Sequence, residues 1–224
     1  MGKGSRVYAI IQARYGSNRF PRKIGVWIEG EPMLGRVIER VRKGISDIIV
    51  ATPDPEIAEY AERLGVLSYI GSEDDVLNRY YQASVKYNVS DIVRLTADNP
   101  LLDPNVLCQV VNFYLENNFD YVSNNLKRSY PLGLDVEVFS FNALEKAWKR
   151  ATLQPDREHV TPYIRNHPEL FRLGNVENDI NLSHLRWTVD YQEDLDFVRN
   201  IYSNLGGNFT MNDVLEYTKK GVET

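Results

Sequence analysis

The chain has 224 residues, 43% of them hydrophobic, and a formal net charge of -5 with acidic and basic side chains interspersed. That length suits one sizeable core rather than two, and the mixed charge pattern excludes a general nucleic-acid or membrane-surface binder. A single cysteine, Cys108, excludes an intramolecular disulfide and a cysteine metal cluster, and no run nears the ~18 apolar residues of a membrane span.

The opening MGKGSRVYAII has no long apolar stretch, and Arg6 stands where a myristoylation signal needs Ser or Thr, so the expectation is a cytoplasmic protein. Short β-branched runs then alternate with helical spacing, the pattern of a mostly parallel sheet covered on both faces. Strands are predicted at 7–13, 47–51, 67–70 and 91–95, and helices at 33–43, 56–64 and 74–87. Leu34, Val37, Ile38 and Val41 share one helix face, which should meet the core. Ser72 followed by Asp75 resembles a cap for the third helix.

Asp103 as N-cap and Pro104 at the first helical position open a helix over 104–117, with a strand near 120–123 after it. Past Asn124 the alternation stops. An extended segment at 134–140, helices at 141–150 and near 157–165, and irregular sequence to 185 form an inserted part. A short strand at 187–189 and helices at 193–205 and 211–220 close the chain. The reading is a single α/β domain, 1–224: a nucleotide-binding part at 1–123, a sugar-binding or dimerisation part at 124–185, and a return to the sheet from 186.

Chemistry concentrates in three segments. ARYGSNRFPRK, residues 13–23, leaves the first strand with four cations, Arg14, Arg19, Arg22 and Lys23, and Gly16-Ser17 permits a tight turn. Ligands of open parallel sheets bind outside the carboxyl ends of the strands, where such a loop would meet the phosphates of a nucleotide. It matches neither GxxxxGK[ST] nor GxGxxG, so side chains rather than a backbone cradle must hold phosphate, a task suited to arginine forks and a lysine point charge. A solvated basic loop is the competing reading.

The second segment, RLTADNPLLD at 94–103, places Asp98 just past a central strand on the same edge, a position for a magnesium ligand or for a turn aspartate. The third, RWTVDYQEDL at 186–195, offers Asp190 as a second carboxylate, whereas Glu193 and Asp194 read as acids of a first helical turn. Arg79 lies on a helix within reach of a base or ribose, or in a surface ion pair. In the inserted half, Arg157, Glu158, His159, Tyr163, His184 and Arg186 suit an acidic sugar or a subunit contact. His159 and Tyr163 are expected one helical turn apart, and Asp135 and Glu137 on one side of a strand.

Together with PLGLDVEVFS, REHVTPYIRN and LSHLRWTVD, these segments resemble the spore coat polysaccharide biosynthesis protein F family, whose members look like CMP-Kdo and acylneuraminate cytidylyltransferases. The resemblance runs from about Val7 to Tyr202. It implies a three-layer α/β/α nucleotidyltransferase fold, with CTP along the carboxyl edge, an acidic sugar beneath the inserted segment, release of pyrophosphate, and a homodimer. It places Arg14, Ser17, Arg19 and Lys23 at the triphosphate and Asp98 and Asp190 at magnesium. The family loop reads Ser-Thr-Arg-Leu-Pro-Gly-Lys. Here Asn18, Phe20 and Arg22 replace Thr, Leu and Gly, and Arg22 is expected to crowd the approach to Lys23. Two other readings stay open: a transferase that consumes an activated nucleotide-sugar, and a binding protein without catalysis.

Overall fold

The computed structural model describes residues 6–16 and 20–220. In chain order the strands are β1 Val7–Gln12, β2 Trp27–Ile28, β3 Glu31–Pro32, β4 Ile48–Thr52, β5 Leu67–Ile70, β6 Asp91–Thr96, β7 Tyr121–Ser123, β8 Glu137–Ser140 and β9 Leu173–Asn175. The helices are α1 Met33–Arg42, α2 Pro55–Arg63, α3 Val76–Tyr87, α4 Pro104–Glu116, α5 Phe141–Arg150, α6 Gln154–His159, α7 Pro162–Arg165, α8 Gln192–Leu205 and α9 Met211–Lys220.

Seven strands form one sheet in the order β5-β4-β1-β6-β8-β7-β9, and β2 and β3 make a separate hairpin. The strands β5, β4, β1 and β6 run parallel. In contrast, β8 runs antiparallel to both of its neighbours. Residues 124–185 therefore add β8 and β9 to the same sheet.

The apolar face foreseen on α1 is buried, and it joins α2, α4, α8 and α9 in one core layer. Helices α3, α5 and α7 build the other layer with Val160. The result is a three-layer α/β/α sandwich about a mostly parallel sheet. Local chemistry sets several boundaries. Asp103 accepts from Asn105 N at 2.6 Å and caps α4, with Pro104 at its first position. Asp75 accepts from Asn78 N at 2.9 Å, so it caps α3, while Ser72 in turn accepts from Asp75 N at 3.0 Å. Arg40, 1% exposed, donates to the carbonyls of Leu102, Gly207 and Phe209 and joins α1 to the loop after β6 and to the approach of α9.

Four expectations need correction. The extended segment at 134–140 is a strand only from Glu137, because the Asn124 side chain takes Val136 N (2.9 Å) and Leu134 O (2.7 Å) in place of a neighbouring strand. The helix near 157–165 is broken in two. Pro162 brings no N–H, and Val160, at φ 72° and ψ -55°, turns the chain so that Thr161 N bonds the His159 carbonyl at 2.9 Å, a γ-turn of the rarer hand. Residues 187–189 form no strand, since Trp187 N pairs with Leu132 O and Val189 N with Asp98 O, on different neighbours. Finally, β9 lies in sequence read as irregular. Among the described residues no helix is long and apolar enough to cross a membrane.

Candidate active site

Strands β1 and β6 are paired to their ends, Gln12 against Thr96, and Ala97 N continues the pairing to Gln12 O at 3.1 Å. Two loops thus leave the carboxyl edge side by side, one with Arg14 and the other with Asp98. The first returns through a turn at Lys23–Gly25, preceded by Arg22 in the left-handed region at φ 57°.

This turn aims Lys23, 8% exposed, back at the sheet edge. Its Nζ donates to Asp98 Oδ2 at 2.9 Å, to Asp190 Oδ1 at 2.8 Å and to the Val189 carbonyl at 2.8 Å. Residues far apart in the chain therefore meet on one ammonium. Each carboxylate is held on its other oxygen too: Thr96 Oγ1 donates to Asp98 Oδ1 at 2.5 Å, and Arg186 Nη2 to Asp190 Oδ2 at 2.7 Å.

Asp194 orients this group from behind. Its Oδ2 accepts from Asp190 N at 2.8 Å and Tyr191 N at 2.9 Å, and its carboxylate pairs with Arg186. Burial opposes its ionisation, but the hydrogen bonds from Asp190 N, Arg186 and Tyr191 N outweigh burial and hold its pKa below the usual range. The bonds to Asp190 and Asp194 likewise raise the pKa of Arg186.

Lys23, Asp98 and Asp190 form one wall of a cavity of about 320 Å³. Arg14, Arg79, Glu158 and His159 contribute to the rest. Arg14 lies 3.9 Å from Glu158. Arg79 is 1% exposed; its Nη1 bonds the Ser72 carbonyl at 2.5 Å, and its buried Nε has no hydrogen-bond partner among the described residues. Burial lowers its pKa, and the charge of Arg14 adds to that effect. Two guanidiniums on one cavity, one with a donor unused, favour an anionic ligand.

The fit of this site to magnesium can be judged from its donors. No group of three or more His, Cys, Asp or Glu able to hold a metal is found among the described residues. Magnesium asks for less, one or two carboxylates completed by water and phosphate oxygens, and Asp98 and Asp190 supply two hard oxygen donors that already share a cation.

The other expected site residues are divided. Ser17 and Arg19 lie outside the described residues. Of the sugar-side set, Glu158 and His159 reach the cavity, Arg186 touches it through Asp190, and Arg157 pairs with Asp75 instead. His184 is exposed and outside the lining. Tyr163 stacks on His167 and meets Phe171 edge-on, because the break at Val160 separates it from the helix that ends at His159. Asp135 and Glu137 do not alternate on one strand. Asp135 precedes β8 and pairs with Arg128 at 2.6 Å, while Glu137, 2% exposed, is enclosed by Arg94, Tyr121 and Thr161.

Arg22 does not crowd Lys23. Its guanidinium stacks 4.4 Å from the Tyr15 ring and pairs with Glu56 at 2.9 Å on the outer side of the loop. Sequence reading passed over Gln12 and Thr96 as site residues. The signal available for both was a polar side chain at the end of an apolar strand on the ligand edge.

A mostly parallel sheet with a cationic cavity at its carboxyl edge and paired carboxylates beside it suits a nucleotidyltransferase. Comparison with known proteins narrows the class. The model of the cytidylyltransferase family matches residues 8–218, and the chain belongs to that family. It is 43% identical over 197 residues to an uncharacterized protein of Methanocaldococcus jannaschii, covering 84% of this chain and 80% of that one. It is 32% identical over 210 residues to the spore coat polysaccharide biosynthesis protein SpsF of Bacillus subtilis, covering 88% and 86% respectively. The solved structure of a cytidylyltransferase from Leptospira borgpetersenii superposes with a TM-score of 0.93 at 32% identity, covering 98% of this chain and 96% of that one.

Proposed function

We propose that this enzyme transfers CMP from CTP to a hydroxyl of an acidic, 2-keto acid sugar, with release of pyrophosphate, in the synthesis of a surface polysaccharide. The observation that carries this reading is the convergence of Lys23, Asp98 and Asp190 on one wall of a cavity that also presents Arg14 and Arg79. The acceptor oxygen bonds to the α-phosphorus and gives up its hydroxyl proton to solvent, as the bond from that phosphorus to the β-phosphate oxygen breaks and pyrophosphate leaves. Arg14 and Lys23 neutralise the triphosphate, and Lys23 offsets the charge that builds on the departing pyrophosphate. Arg79, buried and with a spare donor, takes the nucleoside end. Magnesium, held by Asp98 and Asp190, would supply a divalent charge to the phosphate oxygens of the reacting group.

His159 and Glu158, where the inserted part meets the cavity, support an acceptor bound on that side. The polysaccharide role rests on the kinship with the Bacillus protein. A cytoplasmic homodimer completes the proposal, with the exposed Leu153 and Ile180 of the inserted part as apolar contact surface.

The deciding experiment measures pyrophosphate release in magnesium for each of the four common nucleoside triphosphates against several keto-acid sugars. Release with CTP and one acidic sugar is expected. Silence with every triphosphate, together with sugar transfer from a ready-made nucleotide-sugar, would overturn the reading in favour of a glycosyltransferase.

A further inference from the structure

An ammonium group has three N–H donors, and all three on Lys23 are engaged: Asp98, Asp190 and the Val189 carbonyl take one each. The side chain is enclosed, so in this arrangement it has nothing left to give a phosphate. A phosphate oxygen gains Lys23 only if one of these three acceptors loses it, and two of the three are carboxylates.

The same atoms bear on the metal. Thr96 and Arg186 hold the remaining oxygens of Asp98 and Asp190, and the oxygens facing Lys23 are the pair that converge on a single cation. An ammonium and a divalent ion cannot share that position, since like charges in contact repel strongly away from bulk water. The two cations are alternative partners of one pair of carboxylates.

We propose that Lys23 is a coupling residue that keeps divalent metal out of the Asp98–Asp190 site until a triphosphate arrives to receive its ammonium. Metal alone must evict Lys23 with no compensating acceptor for its protons. Metal with a triphosphate releases the ammonium onto phosphate oxygens as the carboxylates turn to the metal. The exchange makes metal and nucleotide mutually reinforcing, by the same factor in either direction. The inference rests on the reading of Asp98 and Asp190 as metal holders.

The test uses manganese as the probe, with no nucleotide present, and reads free manganese by electron paramagnetic resonance. Wild-type protein should bind it weakly, and Lys23→Met should bind it roughly tenfold more tightly, within the usual range of coupling between ligands. Asp98→Asn should lose the binding. If wild type and Lys23→Met bind manganese equally while Asp98→Asn does not, the metal site stands and the coupling role is overturned. If none of the three binds it, both readings fall.

A second measurement needs no variant and so does not depend on Lys23→Met folding. Reductive methylation of the wild-type protein, read by mass spectrometry, should label Lys23 slowly, and more rapidly as manganese alone is raised to saturation. Labelling that stays constant while manganese binds would overturn the proposal.

Discussion

A β-carbon on Gly133 would lie 2.6 Å from the backbone nitrogen of Thr188 and 2.7 Å from the Trp187 carbonyl carbon. Gly133 also has φ 112°, where side chains are strained whatever the space. Leu132, beside it, bonds Leu185 and Trp187 through the backbone, so the segment entering β8 and the segment leading to Asp190 run zipped together. Gly133→Ala should therefore push residues 187–190 off the sheet edge. The expected result is a loss of about 1–3 kcal/mol in denaturant unfolding, with a fall in pyrophosphate release beyond what the unfolded fraction explains.

Asp98→Asn keeps the shape of the side chain and removes its charge. The position is a quarter exposed, and its neighbour Asp190 still holds Lys23. Turnover should drop roughly a hundred- to a thousandfold, the scale for loss of one preorganised group in such a site, with a melting temperature close to wild type. Near-normal turnover would remove Asp98 from the mechanism.

Arg22 occupies the left-handed backbone region that glycine enters most readily, at φ 57°. Left-handed geometry costs an L-residue roughly 1–2 kcal/mol, and its stacking on Tyr15 returns about 0.5–1 kcal/mol at an exposed site. Arg22→Gly should thus change unfolding free energy by no more than about 1 kcal/mol. Pyrophosphate release should be unchanged, because the guanidinium faces Glu56 and not the cavity. A large loss of activity would show that the side chain reaches substrate.

Glu137 contributes to the change in stability at low pH. Burial opposes its charge, but the Arg94 guanidinium and the hydroxyls of Tyr121 and Thr161 outweigh burial and hold its pKa below the usual 4.5. A carboxylate lowered on folding stabilises fully above its unfolded value and loses that contribution as the pH falls from there toward the folded value. Acid unfolding should accordingly steepen below the usual value of 4.5 in wild type and less so in Glu137→Gln. Glu137→Ala, which strands Arg94 in the interior, should cost about 3–5 kcal/mol at neutral pH.

Much of this fold can be read from spacing alone because most of its elements bury one continuous face. Leu34, Val37, Ile38 and Val41 announce α1, and Asp103-Pro104 announces the start of α4. Asp98 was legible from its place after β6 and Lys23 from the loop leaving β1, whereas Asp190 was reached through an expected strand at 187–189 that the chain does not form.

What escaped the sequence depends on contacts that no local pattern carries. Asn124 delays the start of β8 by side-chain bonds made from just beyond the neighbouring β7. Val160 adopts a positive φ that its β-branched side chain disfavours, held by burial in the second core, so periodicity across 157–165 misleads. The hairpin of β2 and β3, with Glu29 and Gly30 both at positive φ, is too short for alternation to register. Glu137 looked like a ligand from its chemistry; only the tertiary structure supplies the arginine that claims it.

Arg40 has a consequence for the order in which the chain can finish folding. Two of the three carbonyls that receive its charge, those of Gly207 and Phe209, are synthesised after every residue of the cavity. The third belongs to Leu102, a few residues beyond Asp98. On the ribosome, the catalytic edge thus stays incompletely anchored until Phe209 has emerged, and a nascent chain halted before Gly207 carries an interior cation that lacks two of its three acceptors.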